Sequence, residues 1–305
     1  MPVAPMIDSQ NQPRRCIPTL HVGLLTHQRG PTAGQDDLAE RALQQDHFPE
    51  AFDYFGKLLE FEPVYQFGIA LSREGLGRHA EAESTMARLA EAQPFGFPPA
   101  QIWMAKNLLA QHAPPANKQA ESLLKQVIAS SPQSVDAYAL LALIAIDRDR
   151  LEEAEAILVS SPQPIPEVQL QVAQRYALRG ELGKGAAMAA TLRDVFKQRV
   201  EKHLRIEDRL HWAQAAALAG NLPEAHEVLR LGTVLHPPEI FAIELSKLYY
   251  EAACRLKNQP NSIAGRERFL TRGIAILARH KIRSQPFLLY QLHDALEEYT
   301  NAERE

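Results

Sequence analysis

Cysteine is nearly absent from this 305-residue sequence: Cys16 and Cys254 are the only two, so neither a disulfide framework nor a four-cysteine zinc site can be assembled within one chain. A dominant charge is missing too. The formal net charge of -4 gives no general attraction for nucleic acid or anionic lipid, although a local basic surface would still provide one. No run approaches the roughly 18 to 20 uninterrupted apolar residues that a membrane-spanning helix needs. The chain is therefore expected to be soluble, and its cysteine usage suits a reducing cytoplasm. Arg14 and Arg15 precede a mildly apolar stretch from Cys16 to Leu25, but Pro18, His21 and Gly23 interrupt it and no cleavage site follows.

Catalytic signatures are missing as well. The eleven histidines form no HExxH, and His203 and His211 stand eight apart with no ligand pattern around them. GELGKGAA from Gly180 lacks the spacing of a phosphate loop and follows no strand. GxSxG does not occur, and alternation of β-branched residues is too scarce to build the sheet on which a nucleophile or dinucleotide site sits. No catalytic residue, cofactor site or metal site is assigned, and a non-enzymatic role is expected.

What the sequence does contain is helical periodicity. With 46% hydrophobic and 23% charged residues the composition is globular. Residues 1–34, rich in proline and polar side chains, read as a flexible tail. From Gln35 to about residue 300, apolar residues recur three and four apart and alanine is abundant, which predicts helix after helix. Residues 301–305 read as a short C-terminal tail. Glycine and proline cluster between the periodic blocks, at Gly75 and Gly77, Pro94 to Pro99, Pro114 and Pro115, Pro162 to Pro166, Gly180, Gly220, and Pro237 with Pro238, where they punctuate short connections.

The blocks resemble one another. A small residue falls near the middle of each first helix: Ala39, Gly68, Ala105, Ala142, Ala173, Ala213 and Ser246. A second opens the following helix, at Ala51, Ala82, Ala120, Ala154, Gly185 and Ala225; the seventh block has no clear small partner. Small side chains where helices cross let backbones approach, and large ones beside them fill the groove. The segments LALIAIDRDRLEEAEAIL from Leu141, VAQRYALRGELGKGAA from Val172 and WAQAAALAGNLPEAHEVL from Trp212 show the pattern together. Departures from the pattern are expected: extra residues in the third block at Ala113 to Asn117, a lost last turn in the fourth at Ser160 to Pro166, a long second helix in the fifth reaching Arg205, and an insertion in the seventh from Lys257 to Ser262. The block from Pro286 to Tyr299 reads as a capping helix, with Leu288, Leu289, Leu292 and Leu296 on its apolar face.

Taken together, the small and large residues, the turn glycines Gly180 and Gly220 and the closing prolines Pro63, Pro94, Pro132 and Pro237 resemble the tetratricopeptide repeat family, over roughly Gln35 to Thr300. The resemblance implies an all-α fold, a right-handed α-solenoid of about seven stacked antiparallel helix hairpins plus the C-terminal cap. It also implies that first helices line a concave channel for a partner protein or peptide. On that register the channel-facing candidates are Tyr65, Ile69, Ala139, Leu143, Ile146, Leu170, Gln174, Ala177, Leu210, Gln214, Lys247 and Tyr250, a mostly apolar set suited to an amphipathic helix or extended hydrophobic peptide. The same residues are equally compatible with packing between helices. Some family members grip a C-terminal carboxylate; Asp36 and Glu40 at the corresponding face would repel it.

Charge is also unevenly divided. Asp36 to Glu155 carries an acidic excess and Arg193 to Arg283 a basic one, with Arg268, Arg272, Arg279 and Arg283 placed near one helix face. Two readings stand: an anion-binding stripe for an acidic protein or nucleic acid, with nucleic acid disfavoured by the overall charge, or a solvated flank whose arginine stems cover apolar neighbours.

Overall fold

A computed structural model describes residues 33–57, 63–92, 96–111, 113–256 and 263–302. These form fifteen α-helices, with no strand among the described residues. The first six are α1 (Ala33–Gln44), α2 (Phe48–Lys57), α3 (Pro63–Gly75), α4 (His79–Ala90), α5 (Pro98–Ala110) and α6 (Pro114–Ser130). Next come α7 (Val135–Asp147), α8 (Leu151–Val159), α9 (Pro166–Leu178), α10 (Leu182–Lys202) and α11 (Ile206–Leu218). The last four are α12 (Leu222–Leu235), α13 (Pro238–Leu256), α14 (Ile263–Arg279) and α15 (Pro286–Ala302). The tail expected over residues 1–34 lies outside the described residues except for Ala33 and Gly34, which open α1. Of the tail expected over 301–305, the first two residues belong to α15 and the rest lie outside, as does the insertion from Lys257 to Ser262.

Turn chemistry sets the hairpins. Asp46, Gly77, Asp149, Gly180 and Gly220 all adopt positive φ, between 56° and 96°. In each case the next backbone N–H donates to the carbonyl five residues back: His47 to Ala42, Arg78 to Arg73, Arg150 to Ala145, Glu181 to Tyr176 and Asn221 to Ala216, at 2.8 to 2.9 Å. This left-handed closure satisfies carbonyls that the end of a helix leaves without partners, and it reverses the chain within two residues. Asp46 and Asp149 do the work of the glycines because short polar side chains tolerate that region.

The crossing residues follow from the same geometry. Ala39 and Ala51, Ala70 and Ala82, Ala142 and Ala154, Ala173 and Gly185, and Ala213 and Ala225 each straddle the turn at a separation of twelve residues, and all are buried. A Cβ at Gly185 would stand 2.6 Å from the Ala173 carbonyl oxygen, so α9 and α10 meet backbone to backbone. Gly68 is therefore not the crossing residue of the second hairpin; Ala70 is. Gly68 instead makes room for Phe55 of the preceding hairpin, whose ring would lie 2.6 Å from an added Cβ.

Pro114 to Asn117 are helical, so the extra residues of the third hairpin lengthen α6 at its start and do not loop out. The lost turn of the fourth leaves α8 with nine residues, and α10 runs long, to Lys202. The seventh hairpin has a small partner after all: Gly273, whose carbonyl accepts a 3.1 Å bond from the buried Ser246 hydroxyl and whose missing Cβ leaves space for Leu292.

The chain divides into two compact units, residues 1–137 and 138–305, with the boundary inside α7. In the first, α1 to α6 pack each against the next, and α1 also touches α3. Phe67, Ala70 and Leu71 of α3 meet Met86 and Leu89 of α4 and Ala100 of α5 in one core cluster. In the second, helices from α8 to α15 pack in sequence, and the first helices α9, α11 and α13 also adjoin one another. Ala213, Ala216, Val228, Leu229, Phe241 and Leu245 form one cluster there. Leu270, Leu277, Leu288 and Leu292 form another beneath the capping helix. Each hairpin thus buries its apolar stripe on its neighbour, and stability within a unit is a sum over adjacent pairs.

Candidate partner-binding groove

Because α9, α11 and α13 stand side by side, their exposed faces make a continuous wall in the second unit. A cleft of about 520 Å³ opens on it, floored by Ala177, Ala213 and Ala217 and bordered by Leu178, Leu182, Leu218 and Leu248, with Gln174, Gln214, Glu244, Lys247, Glu251 and Cys254 around the apolar patch. Small alanines keep this floor low. Leu178 and Leu182, 80% and 66% exposed, stand at its edge. A second cleft, about 360 Å³, continues toward α7 and is lined by Ile146, Asp147, Glu167, Leu170, Gln171, Arg175 and His211. The two share Gln174, Leu178 and Gln214.

Charge and hydrogen bonding around the groove follow from the helices that carry it. The Gln214 amide donates to Glu244 at 3.4 Å, and Lys247 pairs with the same carboxylate at 2.8 Å. Arg199 of α10 bridges Glu167 of α9 and Asp208 of α11, fixing the angle between the first helices from behind. Trp212 donates its indole N–H to Glu224 at 2.9 Å, and Glu224 also accepts from Asn221, whose side chain caps α12. His211 lies against Phe196 with ring centroids 5.0 Å apart. Burial pushes its pKa below the ordinary histidine value against the pull of Glu167, Asp208 and Glu207. Among the described residues, no group of three or more His, Cys, Asp or Glu side chains is placed to hold a metal ion.

The expected channel residues separate into distinct places. Gln174, Ala177, Gln214 and Lys247 line the larger cleft, and Ile146, Leu170, Gln174 and Gln214 the smaller. Leu170 is only 1% exposed, packed with Leu192, Phe196 and Ala215, so it supports the wall from within. Tyr65 and Ile69, in the first unit, pack against Ala39, Ala51 and Phe55. Leu210 packs against the cluster around Phe241, and Tyr250 against that around Leu270. Ala139 and Leu143 are half-buried on α7. The lining is also less apolar than expected: the smaller cleft is largely polar, because the exposed face of α9 carries Gln171, Gln174 and Arg175. Leu178, Leu182 and Leu218, which the sequence did not single out, supply the apolar contacts.

A profile of the tetratricopeptide repeat family matches residues 116–177, which run from the first turn of α6 through α9. That stretch carries tetratricopeptide repeats. The hairpin geometry of that stretch recurs on both sides of it, through the same turn closures and crossing pairs. Among solved structures, the C-terminal part of a TPR repeat-containing protein from Cytophaga hutchinsonii is 14% identical over 85% of this chain and 98% of that one, with a TM-score of 0.50. A tetratricopeptide repeat protein from Parabacteroides merdae is 11% identical over 88% and 98%, also with a TM-score of 0.50. At these identities the likeness is one of fold. No curated protein matches the chain. The tetratricopeptide fold suggests a protein-interaction scaffold, and no described helix is long and apolar enough to cross a membrane.

Proposed function

We propose that this repeat protein is a non-catalytic adaptor that holds a segment of a partner polypeptide in the groove across α9, α11 and α13. The observation that carries the reading is the pair Leu178 and Leu182, large apolar side chains left 80% and 66% exposed at the edge of a 520 Å³ cleft. Bulky aliphatic side chains on a partner would cover them, removing apolar surface from water. Gln174 and Gln214, shared by both clefts, offer amide donors and acceptors to a peptide backbone crossing between them. Rigid stacked hairpins present these groups at low ordering cost.

The test is selection from a displayed random-peptide library against the full chain and against Leu178→Glu combined with Leu182→Glu. Both leucines are largely exposed, so the variant should keep its helical circular dichroism and its melting transition. Leu170→Glu, placing a charge in a site 1% exposed, should lose both. Selected peptides rich in aliphatic residues that bind the parent and not the double variant support the groove. Peptides that bind both proteins equally, or a library that yields no binder, remove it.

A further inference from the structure

We propose that the arginine face of α14 is a second docking surface, separate from the groove, for an acidic segment of a partner polypeptide. Arg268, Arg272 and Arg279 are four and seven residues apart, which at 100° per residue places them within about 40° of one another along about 16 Å of helix. Arg283 does not join them, because α14 ends at Arg279 and the chain turns at Lys281, whose φ is 54°. All three are exposed, and none forms an ion pair among the described residues. Elsewhere in the chain arginines find carboxylates: Arg73 with Glu81, Arg150 with Glu153, Arg193 with Glu224 and Arg230 with Glu227. The α14 face is left with uncompensated positive charge, and its one acidic residue, Glu267, lies about 100° around the helix from Arg268.

One of the three stands beside a packed ring. Arg272 lies near the phenol of the buried Tyr249, which stacks on Phe269 at 5.9 Å and adjoins His226 at the same distance. The planar fork of a guanidinium pairs bidentately with a carboxylate. An extended strand repeats its side chains on one face every ~6.8 Å, close to the ~6 Å rise between Arg268 and Arg272. Alternate Glu or Asp residues of an extended segment therefore match the first two arginines, and a later one reaches Arg279.

A polypeptide fits better than a nucleic acid. The stripe supplies three arginines, whereas phosphate-tracking proteins commonly make about 6 to 10 backbone contacts, and the whole chain carries a net charge of -4 that works against a polyanion at long range. No α14 residue lines either cleft, so both surfaces can be occupied together.

The test is fluorescence anisotropy of the full chain with a labelled Glu-rich 12-residue peptide and, separately, a single-stranded DNA oligonucleotide of matched charge, between about 50 and about 300 mM salt. The variant is Arg268→Glu with Arg279→Glu, which leaves Arg272 in its place beside Tyr249. The expected result is peptide binding that weakens with salt and falls about tenfold or more in the variant, with unchanged circular dichroism. Failure to bind the peptide at low salt, equal binding by the variant, or tighter binding of the oligonucleotide than of the peptide would each overturn the assignment.

Discussion

Gly183 and Gly185 lie two residues apart in the first turn of α10, and replacing each by alanine should shift stability in opposite directions. Alanine is favoured over glycine inside a helix by about 1 kcal/mol, and both variants receive roughly that gain. At Gly183 nothing lies within 4 Å of the added Cβ, so the gain stands alone. At Gly185 the Cβ meets the Ala173 carbonyl oxygen at 2.6 Å and the Ala177 nitrogen at 3.2 Å. Both are backbone atoms of a packed helix, which cannot swing aside as a side chain would. Forcing α9 and α10 apart should cost about 1 to 3 kcal/mol. The propensity gain is common to both variants, so their difference isolates the clash at about 1 to 3 kcal/mol. Urea titration followed by circular dichroism measures it, with the parent protein between the two variants. A Gly185→Ala protein as stable as Gly183→Ala would refute the backbone contact and the crossing register with it.

Burial lowers the pKa of His211, and likewise that of His226 beside Tyr249. A histidine whose folded-state pKa lies below its unfolded value near 6.5 contributes stability that is complete above that pH and lost as pH falls through the folded value. Urea midpoints should drop between about pH 7.5 and about pH 5, and less steeply in His211→Gln; identical slopes would refute the assignment. Glu224→Ala leaves the Trp212 indole N–H and the Asn221 amide without their carboxylate, at a cost on the order of 1 to 3 kcal/mol. Tryptophan emission should change along with it, and an unaltered spectrum would count against the hydrogen bond.

Hairpin number and small-residue crossings were legible because each depends on local spacing: a turn closes, and buried small residues follow on either side of it. Gly68 misled for a simple reason. It is small, but its neighbour is Phe55 of the preceding hairpin, and only the spacing to Gly77 identifies Ala70 as the crossing residue. Asp46 and Asp149 escaped notice as turn residues because glycine was the expected punctuation, although aspartate satisfies the same φ. Gly273 was hidden by the nineteen-residue α13 and the residues that follow it, which stretch the usual interval. The groove was harder to read. Leu170 and Leu178 are both leucines of α9, eight residues apart and thus about 80° around the helix. That modest rotation, together with the packing of α10 behind α9, leaves one 1% and the other 80% exposed. Periodicity assigns a residue to a helix, but which side meets the next hairpin depends on how the pair is seated.

The twenty-one-residue α10 packs against both α9 and α11, with Phe196 fully buried between neighbours and Arg199 holding a carboxylate on each side. Neither first helix can be released without also stripping α10. Amide protons from Ala189 to Val200 should therefore exchange with solvent in concert with those of α9 and α11, as one slow block. The capping helix α15, which packs on α14, should exchange ahead of it. Deuterium uptake would thus trace the α9 and α11 side of the cleft as the most persistent part of the second unit, shaped before anything occupies it.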